Sequence, residues 1–318
     1  MNPLRFSIII PAHRDGSALR ACLEACLEQQ YESFEVIVAL DRTFPGMPHA
    51  VTVVETGSRS DTSPAVKRDA AFAVSSGDVL AYVDDDAYPR VDWLDRAARH
   101  FADPDVQALG GPGLTPPDSS WRERVGGAVY ESPAGSGQLR YRFLPLAPRS
   151  VTDYPAYNLF VRRGALEAVD GWGTTFYGGE DTVLCLKLAE AGWPVHYAPD
   201  VVVYHRRRPI VRPHLRQVAN VGRHRGYFVR AFPATSRRAL YGLPALLPGA
   251  LALGALVAWR RPTIGFPVAA SGYAALAAES HRRHPLSVAL AAPIVAVGHH
   301  LAYGTAFLRG LFGARMTR

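Results

Sequence analysis

Residues 79–89 read Val79-Leu80-Ala81-Tyr82-Val83-Asp84-Asp85-Asp86-Ala87-Tyr88-Pro89, an unbroken apolar run that ends in three adjacent carboxylates and is closed by proline. A short run without polar alternation predicts a strand buried on both faces, as in a parallel sheet covered by helices. Three neighbouring aspartates repel one another, so they are best matched by a hard divalent cation held through oxygen ligands. In open α/β sheets ligands gather beyond the carboxyl ends of the strands, where this order of residues places the acids. The same residues also suit a solvated acidic turn before a helix, whose first turn favours acids.

The surrounding chain repeats the pattern. Phe6-Ser7-Ile8-Ile9-Ile10 is a strand stopped by Pro11, and residues 17–30 carry Leu19, Cys22, Leu23, Cys26 and Leu27 at helical spacing. Residues 34–40 predict a second buried strand ending at Asp41, residues 50–54 a third, and residues 64–76 a helix leading into strand 79–83. Helix 91–101 and strand 106–109 follow. Residues 112–152, rich in Gly, Pro and Ser, predict a long loop system of the kind that carries specificity. Order returns with strand 157–161, helix 163–169, a helix opened by Glu180-Asp181, and strands at 195–197 and 201–205. Alternating strands and helices predict an α/β fold with a mostly parallel sheet covered by helices on both faces.

Charge divides the chain. Residues 1–205 hold 18 Lys and Arg against 27 Asp and Glu, whereas residues 206–318 hold 17 Arg and a single acid, Glu279. Ten arginines fall within 206–238, interleaved with Leu215, Val218, Val221, Tyr227, Phe228 and Phe232. Such a stretch fits an amphipathic segment lying on anionic headgroups, or a solvated basic helix. Beyond it, residues 241–259 are uncharged and long enough to cross a bilayer as a helix, and 262–278 and 286–308 are further apolar runs. Two or three crossings fit, or buried helices of a soluble domain. Arginines in every connecting loop leave the topology open. Basic segments seek phosphate, and the neighbouring apolar runs make membrane lipids rather than nucleic acid the expected partner.

Cys22, Cys26 and Cys185 form no Cys-x-x-Cys pair and have no histidine pattern suggesting zinc, so they read as core thiols. The first six residues lack the charged-then-apolar run of an export signal. Together these features predict an α/β domain over 1–205 facing the cytoplasm, a basic interfacial segment over 206–238, and membrane-associated helices over 239–318 at the cytoplasmic membrane.

Pro11 after the first strand, Asp41 after the second, Lys67-Arg68-Asp69-Ala70 before the acids, Asp84-Asp85-Asp86 as an Asp-x-Asp element, Gly179-Glu180-Asp181 and Val203-Tyr204-His205 together resemble a family 2 glycosyltransferase of the GT-A fold. The resemblance covers roughly residues 5–210 and implies inverting transfer of a sugar from a nucleotide-diphospho-sugar. It implies Mg2+ or Mn2+ held by Asp84 and Asp86, with His205 completing the site; for His205 packing at a strand end is the alternative. Asp181 matches the catalytic base and Glu180 a residue that positions the acceptor. Pro11, Ala12, Asp41, Asp84 and Asp85 fall on the donor side. Lys67 and Arg68 fall near the diphosphate, with exposed helix charges as the alternative. Gly171-Trp172 and Tyr177 resemble the acceptor side, where an aromatic stacks on a sugar ring, although Trp172 also suits a core anchor. With membrane segments attached, the acceptor is expected to be a glycan or a lipid-linked species in cell-surface polysaccharide or glycolipid synthesis. Nucleotidyl transfer is the rival chemistry, but it calls for a glycine-rich basic loop after the first strand, and Pro11-Ala12-His13-Arg14-Asp15-Gly16 offers a poor one. A non-enzymatic membrane scaffold that kept the fold is the other alternative.

Overall fold

The computed structural model describes residues 3–57 and 63–313. They group into two compact units, one built from residues up to 116 with 144–205, the other from 117–143 with residues from 206 onward.

The first unit contains β1 (Phe6–Pro11), α1 (Ser17–Leu27), β2 (Phe34–Leu40), β3 (Val51–Glu55), α2 (Pro64–Val74), β4 (Val79–Tyr82), β5 (Ala87–Pro89), α3 (Trp93–His100), β6 (Ala108–Gly110) and β7 (Gly113–Leu114). After an excursion into the second unit it resumes with β8 (Arg149–Val151), β9 (Leu159–Arg162), α6 (Arg163–Ala168), α7 (Glu180–Glu190), β10 (Val195–Tyr197) and β11 (Val203–His205). Eight strands form the main sheet in the order β3-β2-β1-β4-β9-β6-β10-β8, and β5, β11 and β7 form a small second sheet. β3, β2, β1 and β4 run parallel, as the continuous apolar strands predict, while β9 runs antiparallel between β4 and β6. Mixed α/β architecture with a mostly parallel sheet is therefore what the chain adopts.

Local chemistry starts the helices. Ser63 Oγ accepts a bond from Ala65 N at the head of α2, where Pro64 occupies a position needing no N–H partner. One face of the main sheet packs an aromatic cluster in which Phe160 lies 4.6 Å from Trp93 and 6.1 Å from Phe6 between ring centres. Asn158 serves the core differently. Its amide donates to the carbonyls of Gly111 and Val201 and its oxygen accepts from Trp93 Nε1, so a fully buried polar residue ties two loops to the start of α3.

The second unit is helical: α4 (Trp121–Glu131), α5 (Pro133–Ser136), α8 (Arg212–Ala231), α9 (Pro233–Ser236), α10 (Ala239–Gly242), a 3-10 turn over Leu243–Leu246, α11 (Leu247–Arg260), α12 (Pro262–His281) and α13 (Leu286–Phe312). Two expectations change here. Residues 112–152 are no simple loop, because α4 sits within them, started by a capping box in which Ser120 and Glu123 exchange side-chain and backbone bonds. That Ser-x-x-Glu signature was present in the sequence but lay among Gly and Pro residues that read as loop. The basic stretch is also more than a surface helix: Val218, Gly222 and Phe228 of α8 are buried, and Gly222 and Gly226 pack so tightly on Tyr303 and Phe307 of α13 that a Cβ would collide with their carbonyls. The division of the chain is accordingly not a cut at 205, since 117–143 belongs with the carboxyl-terminal helices. By length and composition, Ala239–Arg260 and Leu286–Phe312 suffice to cross a membrane.

Candidate active site

The parallel register brings three strand exits side by side. Pro11 pairs with Ala39 and Ile9 with Tyr82, so the chain after β1, β2 and β4 emerges at one edge of the sheet. There α2 turns two cations inward. Lys67 Nζ donates to Ala12 O at 2.6 Å and lies 2.7 Å from Asp41 Oδ1, with both side chains nearly sealed from solvent. The other oxygen of Asp41 meets His13 Nδ1. Ala12, His13, Asp41 and Lys67 thus form one fixed group beside Pro11.

Arg68, one position on, is 2 % exposed. Its Nη2 donates to Asp84 Oδ1 at 2.8 Å and its Nη1 to Glu180 Oε1 at 3.0 Å, while the guanidinium lies 4.5 Å from the centre of the Trp172 ring. Lys67 and Arg68 are therefore not the exposed helix charges that the sequence allowed. Each donates to protein acceptors, Lys67 to Ala12 O beside Asp41 and Arg68 to Asp84 and Glu180. Successive helical residues point about 100° apart, which lets three neighbours serve three tasks. The third, Asp69, accepts bonds from Trp172 N and Gly173 N and so anchors a loop.

Asp84, Asp86 and His205 come together, with one ligand atom from each lying within 4.8 Å of the others. The small sheet is responsible. Antiparallel pairing of β11 with β5 sets His205 opposite Ala87, bringing its Nε2 to 3.1 Å from Asp86 Oδ1, and the ring lies against Tyr157 at 4.6 Å. Burial pushes the Asp84 carboxyl above its ordinary value; Arg68 opposes this, and the Asp86 and Glu180 carboxylates add to it. Asp85 is half-buried and stands outside the three-residue group.

Across from these acids α7 begins. Gly178 and Gly179 have φ of 101° and 81°, a left-handed path that glycine takes without strain and that delivers Glu180 and Asp181 to the first helical turn. Glu180 is buried between Arg68 and the Gly178 amide, whose N donates to Oε2 at 3.0 Å. Asp181 is half-buried, accepts from Thr182 N at 2.7 Å, and is the more open of the two acids. Behind it Thr182 Oγ1 donates to the buried Asp153.

The loop preceding α7 is held at several points besides Asp69. Lys187 Nζ donates to the carbonyls of Val169 and Gly171, each at 3.1 Å, and Ser63 Oγ to Phe176 O at 2.6 Å. Trp172 is fully buried against Arg68 and Tyr82, which makes it a core anchor; Tyr177, 58 % exposed, is the aromatic that faces outward. Asp69, Lys187 and Asp153 were not singled out by sequence reasoning for these tasks. Only Asp69 carried a local signal, its place directly after Lys67 and Arg68.

Comparison with known proteins identifies the family and the fold. The sequence pattern of Glycosyl transferase family 2 matches residues 7–169. A Pre-mycofactocin glycosyltransferase of Mycobacterium tuberculosis is 31 % identical over 268 residues, covering 81 % of this chain and 53 % of the relative. Glycosyltransferase AglE of Haloferax volcanii is 24 % identical over 226 residues, covering 64 % of this chain and 67 % of its own length. The chain thus spans about half the length of the mycobacterial relative. Among solved structures, a mannosyltransferase from Pyrobaculum calidifontis, in complex with GDP-Man and Mn2+, superposes with a TM-score of 0.63 at 22 % identity, covering 97 % of this chain and 87 % of that one. At that identity the match speaks for the shared GT-A fold.

Proposed function

The chain belongs to Glycosyl transferase family 2, and from that premise we propose that it transfers a sugar, with inversion, from a nucleotide-diphospho-sugar to a hydroxyl of a glycan or lipid-linked acceptor. The observation that carries the reading is the placement of Asp84, Asp86 and His205 at the strand exits with Asp181 at the facing helix start. Cell-surface polysaccharide or glycolipid synthesis at the cytoplasmic membrane is the setting that apolar helices and buried free thiols favour.

Two carboxylates and an imidazole are a donor set that suits Mg2+ or Mn2+. Held by Asp84, Asp86 and His205, such an ion would supply positive charge to a departing diphosphate. The chain's own residues do the rest. Asp181 takes the proton from the acceptor hydroxyl as its oxygen attacks the anomeric carbon from the face opposite the leaving group. Arg68 holds Asp84 and Glu180 in place, and Glu180 fixes the turn from which Asp181 projects. Lys67 fixes Asp41 and the Ala12 carbonyl on the side where the nucleotide base is expected. Tyr177 offers an open aromatic face to an acceptor sugar.

The test is to incubate the full-length chain in membranes with a panel of nucleotide-sugars and to identify the released product. Nucleoside diphosphate, released with Mn2+ and lost with EDTA, is the expected outcome. Release of a sugar 1-phosphate would instead establish nucleotidyl transfer, and failure of every donor to bind or react would favour the scaffold alternative.

A further inference from the structure

We infer that the membrane segment is a two-helix hairpin of α11 and α12, and that α13 lies outside the hydrocarbon, flat against the bilayer surface. This rests on the membrane association proposed above. It departs from what length and composition alone suggest, since those criteria select α13 and pass over α12.

Exposure separates the helices. α11 buries none of its residues, and Leu251, Leu253, Leu256 and Trp259 stand 41–78 % exposed around it. α12 buries only Ala277 and Ser280, with Ile264, Phe266 and Val268 at 56–66 %. α11 and α12 pack against each other where Gly265 of α12 meets Ala258 of α11, a close approach that small residues allow. The twenty residues of α12 span about 30 Å at 1.5 Å per residue, the thickness of a hydrocarbon core, and none from 262 to 278 is charged. The α10–α11 stretch Ala239–Arg260, 22 residues, is of matching length.

α13 differs. Its exposed apolar residues, Leu286, Leu290, Ile294, Val297, Leu308 and Phe312, follow one another at intervals that keep them on one side of the helix, within an arc of about 80° at 100° per residue. The opposite side is covered by protein, with Val288, Ala292 and Ala296 packed on Val125 and Val129 of α4 and His299 bonded to His214 of α8 at 3.1 Å. The second half of α13 runs beside α8, which exposes Arg212, Arg216, Arg223 and Arg230. If α13 crossed the bilayer, those four arginines would cross with it, at roughly 2.5–3.5 kcal/mol each near the centre. Lying in the interface, α13 presents its apolar stripe to the acyl chains while α8 keeps its arginines at headgroup level. α13 also bridges the limbs of the hairpin, since Tyr273 of α12 bonds to Leu290 O and Gly304 packs against Pro244 just before α11.

This arrangement resolves the charge count that the sequence left open. The ten arginines of 206–238 with Arg282, Arg283 and Arg309 lie on one side of the membrane, and, among the described residues beyond 206, Arg260 and Arg261 lie on the other. The excess assigns the first side to the cytoplasm.

Single cysteines at Arg282, Arg309 and Arg260, introduced into the full-length chain, test the arrangement with a membrane-impermeant maleimide. The native thiols are buried. In inside-out vesicles Arg282→Cys and Arg309→Cys label and Arg260→Cys is protected; in right-side-out vesicles the pattern reverses. Labelling of Arg309→Cys on the side opposite Arg282→Cys means that α13 crosses, and labelling of Arg260→Cys beside Arg282→Cys means that the hairpin does not; either overturns the proposal. If Arg260→Cys fails to accumulate, Arg261→Cys reports the same turn. Recovery of the unmodified chain in the soluble fraction after a carbonate wash would overturn the membrane reading itself, which the labelling pattern alone does not address.

Discussion

Arg68 and Glu180, 112 residues apart in sequence, are joined by a 3.0 Å bond between Nη1 and Oε1 with both side chains buried. The same guanidinium binds Asp84, so a single cation links the strand that delivers the three aspartates to the helix that opens with Glu180 and Asp181. Removing it by Arg68→Met leaves two inward-facing carboxylates without their partner, a loss that costs about 3–5 kcal/mol for a broken buried pair. A large fall in melting temperature is expected, partly restored by adding Glu180→Gln, which removes one of the stranded charges. An unchanged melting curve would show that Arg68 is not the tie.

Donor binding should depend on the Asp86–His205 pair. Asp86→Ala is expected to abolish Mn2+-dependent binding of a nucleoside diphosphate in calorimetry. His205→Ala should weaken it by roughly tenfold or more, a charge-assisted contact being worth about 1.5–3 kcal/mol. Equal affinity in wild type and both variants would remove these residues from the metal site.

The two acids at the start of α7 are expected to fail in different ways. Asp181→Asn keeps size and hydrogen bonding but loses the ability to take a proton, so transfer should slow by roughly 10²–10⁴-fold with donor affinity intact. Glu180→Gln weakens the bond to Arg68 and should appear mainly as lost thermal stability. If Glu180→Gln is inactive at full stability while Asp181→Asn transfers at a near-normal rate, the roles are reversed.

Trp172 and Tyr177 separate packing from recognition. Trp172→Ala opens a cavity beside Arg68 and Tyr82 and should cost about 3–5 kcal/mol of stability. Tyr177→Ala, at an open position, should leave the melting temperature in place and raise KM for the acceptor. A Tyr177→Ala enzyme with unaltered acceptor kinetics would exclude the stacking role.

The elements bordering the site were legible because period and punctuation are local. Strand 34–40 and strand 195–197 fall where the apolar runs place them, and β1, β4 and α7 differ from expectation by only a residue or so at their ends. α4 was missed although its capping box was written in the sequence, because its interior Gly126 and Gly127 and the surrounding prolines mimic a loop. β5 was missed because three residues carry no period of their own and pair only when β11 arrives from more than a hundred residues away.

What the sequence by itself determined is the set of chemical groups and the order in which the chain delivers them: acids after an apolar strand, an acid pair at a helix start, a histidine at a strand end, and arginines before apolar helices. The directions in which those groups point were decided by tertiary structure. Whether Lys67 and Arg68 face water or the core depends on what packs against α2, and Asp41, Asp84 and Glu180 reach them from three separate segments. Whether α13 lies in lipid or beside it depends on the arginines of α8, some eighty residues earlier in the chain. Side-chain type is a property of one position, whereas burial and charge compensation belong to several positions at once, and folding alone assembles them.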